Sequence, residues 1–435
     1  MLYKESIFNL VITENDESVV IFNTLRGVVS SFDIDIYKSF HNKTGINSEV
    51  IDNQIIKCGF VVEEDANEYE EVITQMRQTA YNNSPGSLHF VIAPTMKCNY
   101  KCLYCFEKET SKNCSMTNET AEKTIAFICN EINKKNPRHS VDIQWFGGEP
   151  LLAIESIKYI STKLKKFVED KGLEYVTTII TNGYYLDSHA VDVLKKYNTK
   201  NVQITLDGTK KTYSKMKGCS EDCFDRVIGN IKSAEDELPI NIRMNMDASN
   251  VDDIYALTRY LVEEAKIKSK LYIADIRNYD GNNTEKNTFD FEAEREKIVD
   301  KITRMGFGDA FVSKVPVRRY TSCKATTKNE YVIGPTGKLY RCAHLLDREG
   351  CDSGDIYKGY IASPVDNMLL QNELPTKCRT CPILPICLGA CACDRLIDGI
   401  VLNCESKIKC TKYEVKRALS KGGVLYDNSL PDKQC

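Results

Sequence analysis

Between residues 88 and 305, six short runs rich in β-branched and aromatic residues alternate with helical stretches. This alternation limits the fold more than any other feature of the chain. The runs are LHFVIAP (88–94), VDIQWF (141–146), YVTTIIT (175–181), NVQITL (201–206), INIRMNM (240–246) and KLYIADI (270–276). Behind the first, Ala121, Ile125, Ile128, Cys129 and Ile132 recur at helical spacing after a Thr117 cap. A later helix from about Asp252 carries Leu257, Tyr260, Leu261 and Ala265 on one face. Repeated βα units imply a parallel sheet, and six units where a closed barrel has eight imply an open, partial (β/α)6 barrel of the α/β class. In such barrels the chemistry sits at the C-terminal ends of the strands. There the sequence places a cysteine loop, then GGEP (147–150), TNG (181–183) and LDG (206–208) after the first four strands in turn.

The cysteine loop reads PTMKCNYKCLYCFEK, with Cys98, Cys102 and Cys105 spaced C-x3-C-x2-C. An iron–sulfur cube takes four ligands, so three thiolates from one loop leave one iron open to another ligand. A zinc site with Cys114, nine residues on, as its fourth ligand is the other reading of these residues. The chain has 19 cysteines, and eleven of them lie between Cys323 and Cys435. The N-terminus carries acids in and around its short apolar stretches, unlike a signal peptide, so a cytoplasmic location is expected. Clustered cysteines without an export signal point to metal ligation more than to disulfides. Cys58, Cys129 and Cys219 read as reduced thiols without a role. A net charge of −3 offers no basic excess for nucleic acid, and the absence of an 18-residue apolar run argues against a membrane-spanning helix.

With the cysteine loop, GGEP, TNG and LDG in this order, residues 88 to about 305 resemble the radical S-adenosylmethionine (SAM) superfamily. The remainder resembles its SPASM-domain branch. That branch is marked by a cysteine, a gap, G-x4-C, a long gap, C-x2-C-x5-C-x3-C and a last cysteine. Here these are Cys323, Gly337, Cys342, then Cys378, Cys381, Cys387 and Cys391, then Cys404 or Cys410. The resemblance implies SAM and three 4Fe–4S clusters. The radical cluster would sit on Cys98, Cys102 and Cys105, one auxiliary cluster on Cys323, Cys342 and Cys391, and a second on Cys378, Cys381, Cys387 and Cys410, favoured over Cys404 by its gap. No cysteine lies between Cys223 and Cys323, so the first auxiliary cluster has either an open iron or a nearby closing ligand such as Cys351 or Cys393. Toward SAM, the resemblance implies that Gly147 and Gly148 admit the methionine moiety and that Glu149 accepts from its amino group. Asn182 and Asp207 would meet ribose hydroxyls or hold the rim, and Tyr104 would contact the adenine edge or cover the cluster. Lys217, in KMKGC, stands where family members often carry an arginine for the SAM carboxylate, and lysine lacks the bidentate fork.

The first 85 residues differ in texture. FNLVITENDESVVIFNTLRGVVSSFD reads as a hairpin or meander with turns at Glu14–Glu17 and Arg26–Gly27. Helices near 34–42 and 47–57, a short strand and an acidic helix follow, suggesting a winged-helix-like module. It resembles the peptide-recognition modules of maturases of ribosomally made peptides, which implies leader docking by strand addition. A plain cap over the barrel is the alternative. The expected domains are thus 1–85, an 86–308 barrel and a 309–435 cysteine-rich region, with NNSPGS (82–87) as linker. The implied function is a peptide maturase that abstracts hydrogen from a precursor peptide and forms a thioether, with a reductant such as flavodoxin or ferredoxin. Formylglycine formation, carbon–carbon or carbon–oxygen crosslinking, and non-catalytic electron transfer are the rival readings.

Overall fold

The computed structural model describes residues 1–47, 49, 51–105, 114–276, 289–312, 315–400 and 403–421. Its N-terminal strands are β1 (Leu2–Glu5), β2 (Asn9–Glu14), β3 (Ser18–Asn23), β4 (Val28–Asp33), β5 (Ile46–Asn47) and β6 (Val61–Glu63). They form two three-stranded sheets, ordered β5-β1-β6 and β2-β3-β4. The β2-β3-β4 meander matches the expected one. The helix expected over 47–57 is shorter, Asn53–Lys57, because Ile46–Asn47 pairs with β1 and the Asp52 side chain caps the helix at Gln54 N. Residues 48 and 50 of that expected helix lie outside the described residues. The acidic helix is Glu68–Ala80.

The barrel strands are β7 (Ser87–Ile92), β8 (Ser140–Trp145), β9 (Glu174–Thr181), β10 (Thr199–Leu206), β11 (Ile240–Met246) and β12 (Lys270–Asp275). All six lie parallel in sequence order. Their side chains alternate. Val141, Ile143 and Trp145 of β8, Tyr175 and Ile179 of β9, and Val202, Ile204 and Leu206 of β10 are buried in the main core. Helix residues such as Ile128, Ile160, Leu164 and Ile231 complete that core. The alternate residues Asp142, Gln144, Thr178, Gln203, Thr205, Arg243 and Tyr272 are polar and half-buried, giving the sheet one apolar and one polar face. The expected helix after Thr117 is Asn118–Lys135, and the Thr117 hydroxyl accepts from Thr120 N at 3.1 Å.

The boundary expected at 308 is not a break in the sheet. Strand β13 (Glu330–Ile333) pairs in parallel with β7, and β14 (Leu339–Tyr340) pairs antiparallel with β13, making eight strands in all. On the opposite edge Phe311 bridges to Leu271 of β12. The region after the barrel therefore covers both edges. The N-terminal module packs on that same region. Leu10, Ile12, Phe22 and Val29 meet Ile383 and Val415, while Phe8, Leu25, Val72 and Met76 meet Cys378, Leu384 and Leu388. Among the described residues, no helix is long and apolar enough to cross a membrane.

Candidate functional site

Four strand ends are tied into one rim. After β7, residues 95–97 run against the GGEP turn: Gly148 N donates to Thr95 O at 3.1 Å and Glu149 N to Lys97 O at 2.8 Å. A Cβ on Gly147, whose φ is +117°, would lie 2.3 Å from Thr95 O, and one on Gly148 would lie 2.4 Å from Met96 O. The two glycines thus admit the backbone that leads into the cysteine loop. Their expected role is to admit the methionine moiety of SAM, and the close approach seen here is protein on protein.

Glu149 is fully buried. Its carboxylate accepts from Leu151 N at 2.9 Å, Thr181 Oγ1 at 2.7 Å and Asn182 N at 2.8 Å. Burial raises its pKa, against the pull of these donors and of Lys217. The carboxylate expected to receive the amino group of SAM therefore already fastens the end of β8 to the end of β9. Asn182 donates through Nδ2 to Asn99 Oδ1, inside the cysteine loop, at 2.8 Å. This bond ties the end of β9 to the cysteine loop.

The other side of the loop rests on β10. Lys101 N and Leu103 N each donate at 2.9 Å to Lys217 O and Met216 O, the last carbonyls of the helix Lys210–Lys217. Beneath them, Lys217 Nζ lies 2.9 Å from Asp207 Oδ2, with side-chain exposures of 4% and 0%. Tyr104 completes the group, donating to Asp207 Oδ2 at 2.5 Å and accepting from Lys217 Nζ at 2.7 Å. Burial alone would pull the Lys217 ammonium down, but Asp207 holds it well above its ordinary value. The Lys217 charge is paired with Asp207 below the loop, and the Tyr104 hydroxyl and Asp207 Oδ2 are both engaged in that pair. Asp207 Oδ1 is a buried oxygen without a hydrogen bond among the described residues. Sequence reading missed Asn99, Thr181 and Asn250, whose Nδ2 donates to Asp207 O at 3.0 Å. Asn99 and Thr181 lie within the named motifs, whereas Asn250, beyond β11, carries no sequence signal of its own.

Cys98, Cys102 and Cys105 share this loop. Cys98 is exposed as a residue, yet protein crowds its sulfur. Its thiol is pushed up to about 12, first by that crowding and then by Glu149, Cys102 and Cys105, against the pull of Tyr100 N. Mutual repulsion of this kind is what iron relieves by binding thiolates. Cys114 precedes Ser115, which bridges to Thr95, and its carbonyl accepts from Met96 N at 2.9 Å.

Two more cysteine groups lie in the C-terminal region. Cys323 is pushed up to about 12 by burial, then by Cys342 and Cys391. Cys378 is pushed up to about 11 by burial, then by Cys381, Cys387 and Cys404. Burial also raises Cys381, which feels Cys387 and Cys404 as well. The expected fourth member of this group is Cys410, with Cys404 as the alternative. Cys404 is the residue gathered with Cys378, Cys381 and Cys387, whereas Cys410 accepts from Arg295 Nη2 at 3.1 Å beside Glu292. Both lie on the helix Cys404–Ser420, but six residues are nearly two helical turns, which carries Cys410 past the group. Among the described residues, no three His, Cys, Asp or Glu side chains are drawn tightly enough to grip a single ion. The fit to clusters therefore rests on three neighbourhoods of three or more thiols.

Known proteins resemble parts of this chain. Residues 92–261 match the profile of the radical SAM superfamily. The Fe-coproporphyrin III synthase of Methanosarcina barkeri is 28% identical over 39% of this chain and 40% of its own length. The cysteine-type anaerobic sulfatase-maturating enzyme of Clostridium perfringens is 23% identical over 70% of this chain and 88% of its own. The chain spans only 40–60% of the length of several curated relatives that it matches, that synthase among them. Two solved structures share the fold. A histidine-tagged form of anSMEcpe with bound AdoMet has a TM-score of 0.60 at 18% identity, over 78% of this chain and 99% of that one. Streptococcus suis SuiB bound to precursor peptide SuiA has 0.53 at 17% identity, over 89% and 95%.

Proposed function

We propose, from the premise that this chain is a radical SAM enzyme through residues 92–261, that it modifies a ribosomally made precursor peptide and forms a thioether crosslink in it. The observation that carries the reading is the hydrogen-bonded rim. Asn99, Glu149, Asn182, Asp207 and Lys217 hold Cys98, Cys102 and Cys105 at the C-terminal ends of the parallel strands, where such barrels do their chemistry. Cys98, Cys102 and Cys105 would hold a 4Fe–4S cluster, which with SAM bound would supply the reducing electron for radical chemistry at unactivated carbon. The chain's own part is positioning. The rim bonds hold the loop through its backbone and polar side chains, and the polar sheet face bearing Gln144, Thr178, Gln203 and Arg243 receives substrate. The groups at Cys323, Cys342 and Cys391 and at Cys378, Cys381, Cys387 and Cys404 fit auxiliary clusters.

The peptide reading is supported by likeness to SuiB, whose structure is of a complex with its precursor peptide, and by the N-terminal module. In that module a cavity of about 480 Å³ opens between β6 and the helix Glu68–Ala80, lined by Tyr3, Arg26, Ile56, Val61 and Glu71 among others. It suits an extended leader whose apolar side chains enter a groove beside a strand edge. Formylglycine formation is the second reading, favoured by the sulfatase-maturating relative.

The test uses anaerobically reconstituted enzyme. Replacing Cys98, Cys102 and Cys105 with alanine is expected to abolish 5′-deoxyadenosine formation while leaving about eight of twelve irons, at four per cluster. Continued SAM cleavage by that variant would overturn the assignment. With wild-type enzyme, a cysteine-bearing precursor should lose two hydrogens while keeping its sulfur. Conversion of cysteine to an aldehyde would select the formylglycine reading instead.

A further inference from the structure

The sequence leaves the first auxiliary group with three cysteines, hence an open iron or an unnamed closing residue. We propose that Cys393 is the fourth protein ligand of that group, so that Cys323, Cys342, Cys391 and Cys393 close the cluster and leave no iron for a substrate thiolate. The inference rests on the auxiliary-cluster part of the reading above.

The geometry singles out Cys393 from its rivals. Its side chain is hydrogen-bonded to that of Cys342, and Cys391 acts on it electrostatically as well as on Cys323. Cys393 is 2% exposed, inside an apolar cluster with Val332, Leu346 and Ala392 that Cys342 and Cys391 border. The helix Ala392–Leu396 starts at Cys391, so one intervening residue sets both sulfurs at the same helix end. Beyond the cysteines, its sulfur makes a weak polar contact with Asp398 Oδ2 at 4.0 Å. A thiol buried among thiols and hydrocarbon gains more from iron than from such a contact. Cys351, the other candidate, shares the apolar cluster, but the charges acting on it are those of Arg348, Asp398, Asp352 and Asp366, and none is a cysteine of the group. Glu330 is the remaining competitor. It is 9% exposed, acts on both Cys323 and Cys342, and leaves Oε2 without a hydrogen bond among the described residues. Thiolate is the softer donor and the usual ligand of iron–sulfur clusters, which favours Cys393.

A closed cluster cannot act as a Lewis acid on the peptide, so its role narrows to electron relay or structural staple. The experiment uses full-length protein lacking the radical cluster (Cys98→Ala, Cys102→Ala, Cys105→Ala), reconstituted, reduced and probed by electron paramagnetic resonance with and without cyanide. The expected result is a parent spectrum that cyanide does not change. Adding Cys393→Ala should make one of the two auxiliary signals cyanide-sensitive, and Cys393→Ser should retain the iron with a shifted reduction potential, oxygen replacing sulfur. Cys351→Ala and Glu330→Gln should leave spectrum and cyanide response as in the parent. A cyanide-sensitive parent, a spectrum indifferent to both Cys393 substitutions, or a cluster opened by Glu330→Gln would overturn the assignment. A parent holding far fewer than about eight irons would overturn the auxiliary-cluster reading itself, and this assignment with it.

Discussion

Replacing Lys217 with methionine separates the two roles open to it, because methionine keeps much of the apolar stem and removes the charge. Its ammonium lies 2.9 Å from Asp207 Oδ2, and the two side chains are 4% and 0% exposed. Removing one partner of so buried a pair leaves a carboxylate without its counter-charge, at a cost of about 3–5 kcal/mol. Tyr104 keeps its bond to Asp207 but loses the donor it accepts from. The cost falls on the cysteine loop, since Lys101 N and Leu103 N hang from the carbonyls of Lys217 and Met216. Local opening of the loop should become about a hundredfold or more easier, read as faster amide hydrogen exchange at Lys101 and Leu103. Iron retention in the radical cluster should fall in parallel. Replacing Asp207 with leucine and Tyr104 with phenylalanine in the same protein should recover much of the protection, because the orphaned groups are then gone. Unchanged exchange at both amides, together with weakened SAM binding, would refute this reasoning and return Lys217 to the role of a SAM partner.

Gly148→Ala sets a Cβ 2.4 Å from Met96 O and 2.5 Å from Lys97 O, both backbone atoms, so the approach to the cysteine loop must shift. A loss of about 1–3 kcal/mol and of radical-cluster iron is expected, measured by thermal melts and iron analysis. Cys404→Ala should remove one auxiliary cluster and Cys410→Ala none, checked by iron content and electron paramagnetic resonance; the opposite outcome would restore the sequence-based choice. Deleting residues 1–80 should weaken precursor binding in calorimetry, but Thr24, Phe8 and Leu25 also pack on residues 382–388, so a lower melting temperature should accompany it. Arg341→Met leaves the fully buried Asp366 without its cation 3.7 Å away and should cost about 3–5 kcal/mol, visible in the melting temperature.

Strand and helix positions were legible because burial imposes a local period, and the six barrel strands begin and end within a few residues of the apolar runs that signal them. The same period failed for Ile46–Asn47, where pairing with β1 overrode helical spacing. The motif cysteines were legible because their signal is a spacing along the chain itself. Which side chains meet across the rim was not legible, since Glu149 with Thr181, Asn182 with Asn99, and Lys217 with Asp207 are paired by the fold and not by any local period. Sequence alone determined that this chain builds a parallel βα sheet with a three-cysteine loop at one end and a cysteine-rich region behind it. Tertiary structure decided that the polar residues of the motifs brace that loop, that Cys404 lies beside Cys378 and Cys381 while Cys410 meets Arg295, and that Cys393 meets Cys342. Those outcomes depend on which buried polar groups find partners once the helices have packed, and residues from separate elements supply them.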